Sequence, residues 1–550
     1  MWYKAKAIVR NLKPSEWKLF LTFFFVSLAS LIFLGFILFN KFTVPVPLKG
    51  GLFTEGIVGQ PVFVNPIISG NNDADRDLIS LIFCNAFEVA EKIEPTNNNQ
   101  SWQIRLKDNL FWHDGEKLTS DDIIFTLNKI QDPEFHSPLS ATWQGIVMNR
   151  VSELEISIKL SSPYAFFEEN LKKLYIIPKH IYADIPLNNW RLSDYNLQPV
   201  GCGAYKFDSY KKKSDGFITK YSLVANDKYF KSSPFVENLD INFYTSLKKA
   251  SEDFNFAKID GLGGLTKSEY DFISRSNNIY KMATPRYYAV FMNQSVNPAL
   301  QDKNVRLALD AAVNKKDLIE KIFGGWADPI FGPITPNFIG RNISEVSNNE
   351  ALEAKEILEN SGWKLIENEV REKKIKNKTV SLEFNLVVPE VDFLVNTANY
   401  LEKAWREIGV KTNIIIISPE EINNDAIKNR NYELLIFGNI LGGSPDIFSF
   451  WHSSEKLHPG LNLSLFENKT VDKLIEEIRK TSDEEERIGD LSALQSLIGK
   501  DVPAVFLYSP YYVYITSKNL NGFGTKLIIT PPSRFDDINN WFVKTARELK

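Results

Sequence analysis

The 550-residue chain is longer than one ordinary domain, and at roughly 150 residues per domain it predicts three or four units or two large lobes. A composition of 44% hydrophobic, 24% charged and 13% aromatic residues excludes disorder and collagen-like or coiled-coil architectures. The formal charge of −4 argues against a nucleic-acid partner, and two cysteines exclude a disulfide-built scaffold, an iron–sulfur cluster and an all-cysteine zinc site.

Residues 19–40 form a run of 22 without a charge. As a helix it spans roughly 33 Å, enough for a hydrocarbon core of about 30 Å. Lys4, Lys6, Arg10, Lys13 and Lys18 precede it against the single acid Glu16. The positive-inside rule then predicts a cytoplasmic segment 1–18, a transmembrane signal anchor 19–40 and an extracytoplasmic part 41–550. Ser27-Leu28-Ala29 offers a cleavage site, but cutting there leaves the apolar stretch 31–39 as a new terminus, so an uncleaved anchor is expected. Residues 41–51, with Val44-Pro45-Val46-Pro47 and then Gly50-Gly51, read as a short spacer off the membrane.

Beyond the spacer, no repeat of 20–50 residues is visible. Strand patterns fall at 104–106, 154–160, 287–292, 381–388, 412–417, 434–437 and 504–507. Thr119 and Ser120 with Asp121 and Asp122 cap a helix carrying Ile123, Ile124, Leu127 and Ile130. Further helices carry Val305, Leu309 and Ala312, then Leu318, Ile319 and Ile322, and another spans 351–360. Residues 393–408 close on Gly409 as a C′ glycine. The order strand, helix, strand, strand between 381 and 437 predicts an α/β fold. Five scattered histidines include no HExxH pair, and there is no P-loop, GxSxG or C-x-x-C. No catalytic, metal or cofactor site is therefore expected.

The run 105–127, RLKDNLFWHDGEKLTSDDIIFTL, resembles the signature of family 5 extracellular solute-binding proteins. Four more blocks follow in the family's order. They are VGCGAYKF at 200–207, YAVFMN at 288–293, residues 304–317 with Gly324-Gly325 and Gly332-Pro333-Ile334, and residues 450–508 with Asn462, Asp472, Glu486-Arg487 and Val502-Pro503. Together they span nearly all of the exported part.

The resemblance implies a two-lobed periplasmic-binding-protein-like fold of type II with an inserted subdomain, closing on its ligand. It predicts a first lobe of 52–84, 200–294 and 505–550, an insertion at 85–199 and a second lobe of 295–504. The implied partners are peptide or another small solute (a metal chelate, haem or a sugar), ABC permease subunits, and the membrane through the N-terminal helix. A peptide sensor or chaperone without import is the other implied role. His113 and Gly201-Cys202-Gly203 read as architecture. A Cys84–Cys202 bond is chemically permitted outside the cell, though the reading favours leaving the two unpaired.

By the same resemblance, ligand contacts are expected from Glu55 and Val58, from Tyr288 and Asn293, from Phe437, Asn439, Gly442, Gly443, Ser444 and Asp446, and from Trp451. In peptide-binding members the loop at 438–446 resembles G-W-x-x-D-x-x-D/E-P, and its first acid meets the ligand's amino terminus. Here it reads GNILGGSPD, with no acid before Asp446. Because a desolvated ammonium without a counter-charge costs several kcal/mol, two alternatives stay open. Either Glu55 or Asp446 supplies the charge, or the ligand places no free amino terminus there.

Overall fold

The structure, a computed structural model, describes residues 13–340, 351–366 and 369–549. Lys4, Lys6 and Arg10, on which the expected orientation of the N-terminal segment rests, lie outside the described residues. The helix Pro14–Phe42 buries none of its residues. Among the described residues it is the one helix long and apolar enough to cross a membrane.

The predicted spacer is a strand instead. Thr43–Leu48 pairs antiparallel with Lys544–Leu549. Prolines lack an N–H, but they sit at 45 and 47, so Val44, Val46 and Leu48 can supply the donors of a two-stranded ribbon. Alternation makes these prolines compatible with a strand edge.

Two sheets organise the rest. The first has seven strands in the order Asn277–Met282, Tyr512–Ser517, Gly261–Gly263, Leu52–Val58, Asn238–Tyr244, Ile218–Ala225, Tyr205–Lys212. The second has six in the order Ala327–Pro329, Ala504–Pro510, Arg286–Met292, Leu434–Ile440, Glu383–Pro389, Lys411–Ile417. Leu386, Val388, Leu434 and Ile436 are fully buried on one face of the second sheet, and Val387 and Leu435 are buried on the other. Such two-sided burial explains why these strands read as continuous apolar runs.

Strands Arg286–Met292 and Ala504–Pro510 belong to the second sheet, so the expected lobe boundaries at 294 and 504 are corrected. The chain crosses between sheets at 283–285 and again at Tyr511, one strand earlier and one later than the motifs suggested. The two crossings hold each other: Thr284 Oγ1 donates to Pro510 O (2.8 Å) and Ser509 Oγ donates to Thr284 O (3.1 Å). Two short links of this kind, running in opposite directions, make up the hinge region between the sheets.

The insertion carries a four-stranded antiparallel sheet, ordered Ala90–Thr96, Ser101–Leu106, Glu155–Lys159, Val147–Ser152. Its core is continuous with that of the first sheet. Cys84 and Cys202 are bonded across its base, Cα to Cα 5.3 Å, correcting the expectation of two free thiols.

Candidate functional site

The strand Leu434–Ile440 ends at the hinge, where Ile440 pairs with Arg286 and Leu441 donates its amide to Pro285 O (2.8 Å). The following turn is short of side chains. Gly442 has φ +75°, and a Cβ there would lie 3.7 Å from Lys173 Nζ. A Cβ on Gly443 would collide with the Glu169 carboxylate and lie 3.3 Å from Ile529 Cδ1. Glycine is what lets the insertion and the C-terminal segment approach this loop so closely.

Asp446 is committed to the same junction. It accepts from Tyr164 Oη (3.0 Å) and the Phe448 amide (3.1 Å), and pairs with Arg479 at 3.2 Å. The Arg479 guanidinium lies over Tyr164 and Phe448, and its carbonyl accepts the Ala165 amide (2.7 Å). Asn99 Nδ2 donates to Lys480 O (2.8 Å), and Phe166 enters the core of the second lobe. Burial, followed by Asp446, pushes the Tyr164 hydroxyl well up, so it stays a donor. The insertion and the second lobe thus meet along one side of the space between the sheets.

The other expected contacts divide by depth. Tyr288 is half-buried, its ring packed on Phe393 and Tyr508 and over Gly438. Phe437 is half-buried, Ser444 is buried close to the glycine turn, and Val58 is exposed at the hinge end of its strand. Asn439 is buried and donates to Tyr287 Oη (2.8 Å).

Two expectations are corrected. Asn293 is fully buried at the far end of its strand, roughly 20 Å from the crossing, and donates Nδ2 to Arg430 O (3.1 Å). Trp451 is also fully buried, packed among Phe291, Phe466 and Phe506, with its indole N–H on Tyr287 Oη (3.0 Å). A tryptophan closing a loop reads as a ligand platform, but apolar packing on all sides makes it core.

The model of the bacterial extracellular solute-binding proteins, family 5, matches residues 87–457. The chain belongs to this family. It is 26% identical over 508 residues to the oligopeptide-binding protein AppA of Bacillus subtilis, covering 87% of this chain and 89% of the relative. It is 22% identical to the nickel-binding protein NikA of Staphylococcus aureus, covering 77% and 80%. Among solved structures, CtaP of Listeria monocytogenes superposes with a TM-score of 0.75 at 23% identity, covering 90% of this chain and 100% of that one. AppA of Bacillus subtilis with a nonapeptide gives 0.66 at 22% identity, covering 91% and 100%. Family 5 members are binding proteins rather than enzymes.

The family 5 signature serves the base of the insertion here. His113 Nδ1 accepts from the Gly201 amide (3.2 Å), its Nε2 pairs with Gly203 O (3.1 Å), and its own amide donates to Gly201 O (2.8 Å). Burial lowers the imidazole to about 4, which keeps Nδ1 an acceptor at neutral pH. At Gly201 a Cβ would collide with Ile82 O, and at Gly203 it would lie 2.5 Å from Leu81 O. The motif is structural.

Glu55 needs the third correction. It is wholly buried in the first lobe, with Oε1 accepting from Arg534 Nε (2.9 Å) and Oε2 from Tyr514 Oη (2.8 Å). Arg534 also makes a bidentate pair with Asp77, at 2.9 and 2.6 Å. Both Glu55 oxygens are engaged, so it is no open partner for a ligand ammonium. Burial raises its carboxyl to about 7 against the pull of Arg534. Between its ordinary 4.5 and about 7, the folded chain holds more protons here than the unfolded chain. Stability from this group is therefore fully present below 4.5 and is lost as pH rises to about 7. Melting of wild type and Glu55→Gln across about pH 5–8 checks this. Wild type should lose stability relative to the variant as pH rises, and parallel curves would refute the shift.

Nothing in the sequence marked Tyr164, Glu169, Lys173, Arg479 or Ile529 as neighbours of the glycine turn. The contacts of Gly442, Gly443 and Asp446 reveal them.

Proposed function

We propose that this chain is a membrane-anchored extracytoplasmic receptor of an ABC importer that binds peptides in the cleft between its two lobes. Tyr288, Phe437, Gly442, Gly443 and Val58 line the cleft in this reading. The observation that carries it is the loop 438–446, which leaves the hinge with a side-chain-poor turn facing the insertion and the C-terminal segment. Main-chain hydrogen bonds with hydrated side-chain pockets suit ligands of varied sequence. A relative matched over 87% of this chain is an oligopeptide-binding protein, which favours peptide over metal chelate, haem or sugar.

The anchor stays attached in this account. Leu31, Ile32, Phe33 and Phe36 are 63–66% exposed, so cleavage after Ala29 would leave an uncovered apolar terminus. Retention holds the cleft beside its permease and raises local concentration without a new contact.

Mass spectrometry of the detergent-extracted chain tests both statements. The expected result is an intact chain carrying residues 1–40, with co-purified peptides released on denaturation. A chain beginning at Ser30 or later refutes the anchor. A sugar, haem or metal chelate in place of peptides refutes the ligand class.

A further inference from the structure

The ribbon of Thr43–Leu48 and Lys544–Leu549 joins the apolar helix to the first lobe by two strands instead of one. An isolated two-stranded ribbon is marginal in water, so this one needs support at both ends. The lobe supplies one end. Trp541 is fully buried there, Phe542 meets Phe235 edge to face, and a Cβ on Gly51 would collide with Val543 Cγ2. The helix supplies the other. Thr43 donates both its amide and its hydroxyl to Phe39 O, in the last turn of Pro14–Phe42.

Arg547 closes that second end. Its Nε donates to Thr43 Oγ1 (2.8 Å) and its Nη2 to Thr43 O (3.4 Å), and its guanidinium lies 5.1 Å from the centre of the Phe39 ring. A guanidinium carries five N–H donors, so several remain after these bonds. Among the described residues no acid lies in ion-pair contact with Arg547. The adjacent Glu548 pairs with Val44 in the register, which places it on the opposite face of the ribbon.

The helix sets the depth of this charge. A hydrocarbon core of about 30 Å takes about 20 helical residues, and the uncharged run 19–40 ends just before Lys41. Phe39 therefore marks the outer edge of the hydrocarbon, and a cation over its ring lies among lipid headgroups. The group that a guanidinium with spare donors meets at that level is phosphate, whose oxygens fit its planar fork.

We propose that the C-terminal strand is a membrane-contacting brace: Arg547 binds the phosphate of an outer-leaflet phospholipid, and the ribbon so held fixes the first lobe above the end of the helix. At about 3.3 Å per residue, this ribbon is about 20 Å long. The inference rests on the retained anchor and names the surface on which the exported part is mounted.

A nitroxide on Leu549→Cys, a position 83% exposed and paired with Thr43, reports on the strand, since both native cysteines are bonded. The full chain is compared in phosphatidylcholine nanodiscs and in dodecyl maltoside micelles, which carry no phosphate. In nanodiscs the electron resonance spectrum should show an immobilised label shielded from a water-soluble nickel chelate. Arg547→Gln and Arg547→Glu should each raise nickel accessibility about threefold or more and leave the melting temperature of the chain unchanged. Wild type in micelles should behave like the variants.

A label equally restrained in nanodiscs and micelles, or unmoved by either variant, would overturn the proposal. A melting temperature lowered by both variants would mark Arg547 as structural and overturn it too. Intact mass of the same sample keeps the two readings apart: a chain beginning at Ser30 or later overturns the anchor itself, a distinct outcome.

Discussion

Arg534→Ala should cost the chain about 3–5 kcal/mol of stability, the usual penalty for leaving buried charge unmatched. The guanidinium is the cation that Glu55 and Asp77 share, and all three side chains are at most 3% exposed. Removing it leaves two carboxylates in the core of the first lobe, where the charged forms are strongly disfavoured. Both already sit above their ordinary range through burial, even with Arg534 present. Urea unfolding should show the midpoint collapse in the single variant. The triple variant Arg534→Met, Glu55→Gln, Asp77→Asn should recover most of the loss, because it removes the charges together. A single variant as stable as wild type would mean that the triad is not buried as described.

The second large effect lies at the base of the insertion. The Cys84–Cys202 bond closes a loop with a sequence separation of 118. The loop-entropy model gives about 5 kcal/mol for a loop of this length, and measured losses run about 2–5 kcal/mol. The bond also holds Cys84 where the return segment Gly201–Gly203 packs under Ile82, with His113 bridging it. Cys84→Ala with Cys202→Ala should therefore lower the melting temperature of the chain, and added reductant should lower wild type alike and leave the variant unmoved. Equal melting of oxidised and reduced wild type would refute this.

Much of the fold was legible because burial leaves a periodic trace. Residues 383–389, 411–417 and 434–440 sit within one sheet, and their apolar runs declared it. Thr119 announced the helix Ser120–Gln131, and its side chain accepts the Asp121 amide as a cap does. Other elements left no trace. Gly261–Gly263 is a strand of two glycines and a leucine, and Arg371–Ile375 is mostly charged, so neither shows alternation. The lobe boundaries were misplaced because motifs record residue identity, whereas sheet membership is decided by pairing partners distant in the chain.

The site was legible only as a loop. Gly438 to Asp446 could be located by its glycines and its Pro-Asp ending. Tyr164, Glu169, Lys173 and Ile529 come from segments more than 80 residues away, and local spacing carries no information about them. Glu55 shows the reverse error, since an acid on a predicted cleft strand also satisfies a buried arginine. Strand periodicity alone could not distinguish the two roles.

The central claim is that ligand sits between two lobes that close about the crossings at 283–285 and Tyr511. Leu192 on the insertion and Leu457 on the second lobe are 81% and 71% exposed, and both native cysteines are bonded. Nitroxide labels on Leu192→Cys and Leu457→Cys then report the separation of the lobes by pulsed electron resonance in the detergent-extracted chain. Adding a saturating random nonapeptide library should shift the distance distribution to shorter values and narrow it. A distribution unchanged at saturation would contradict the account.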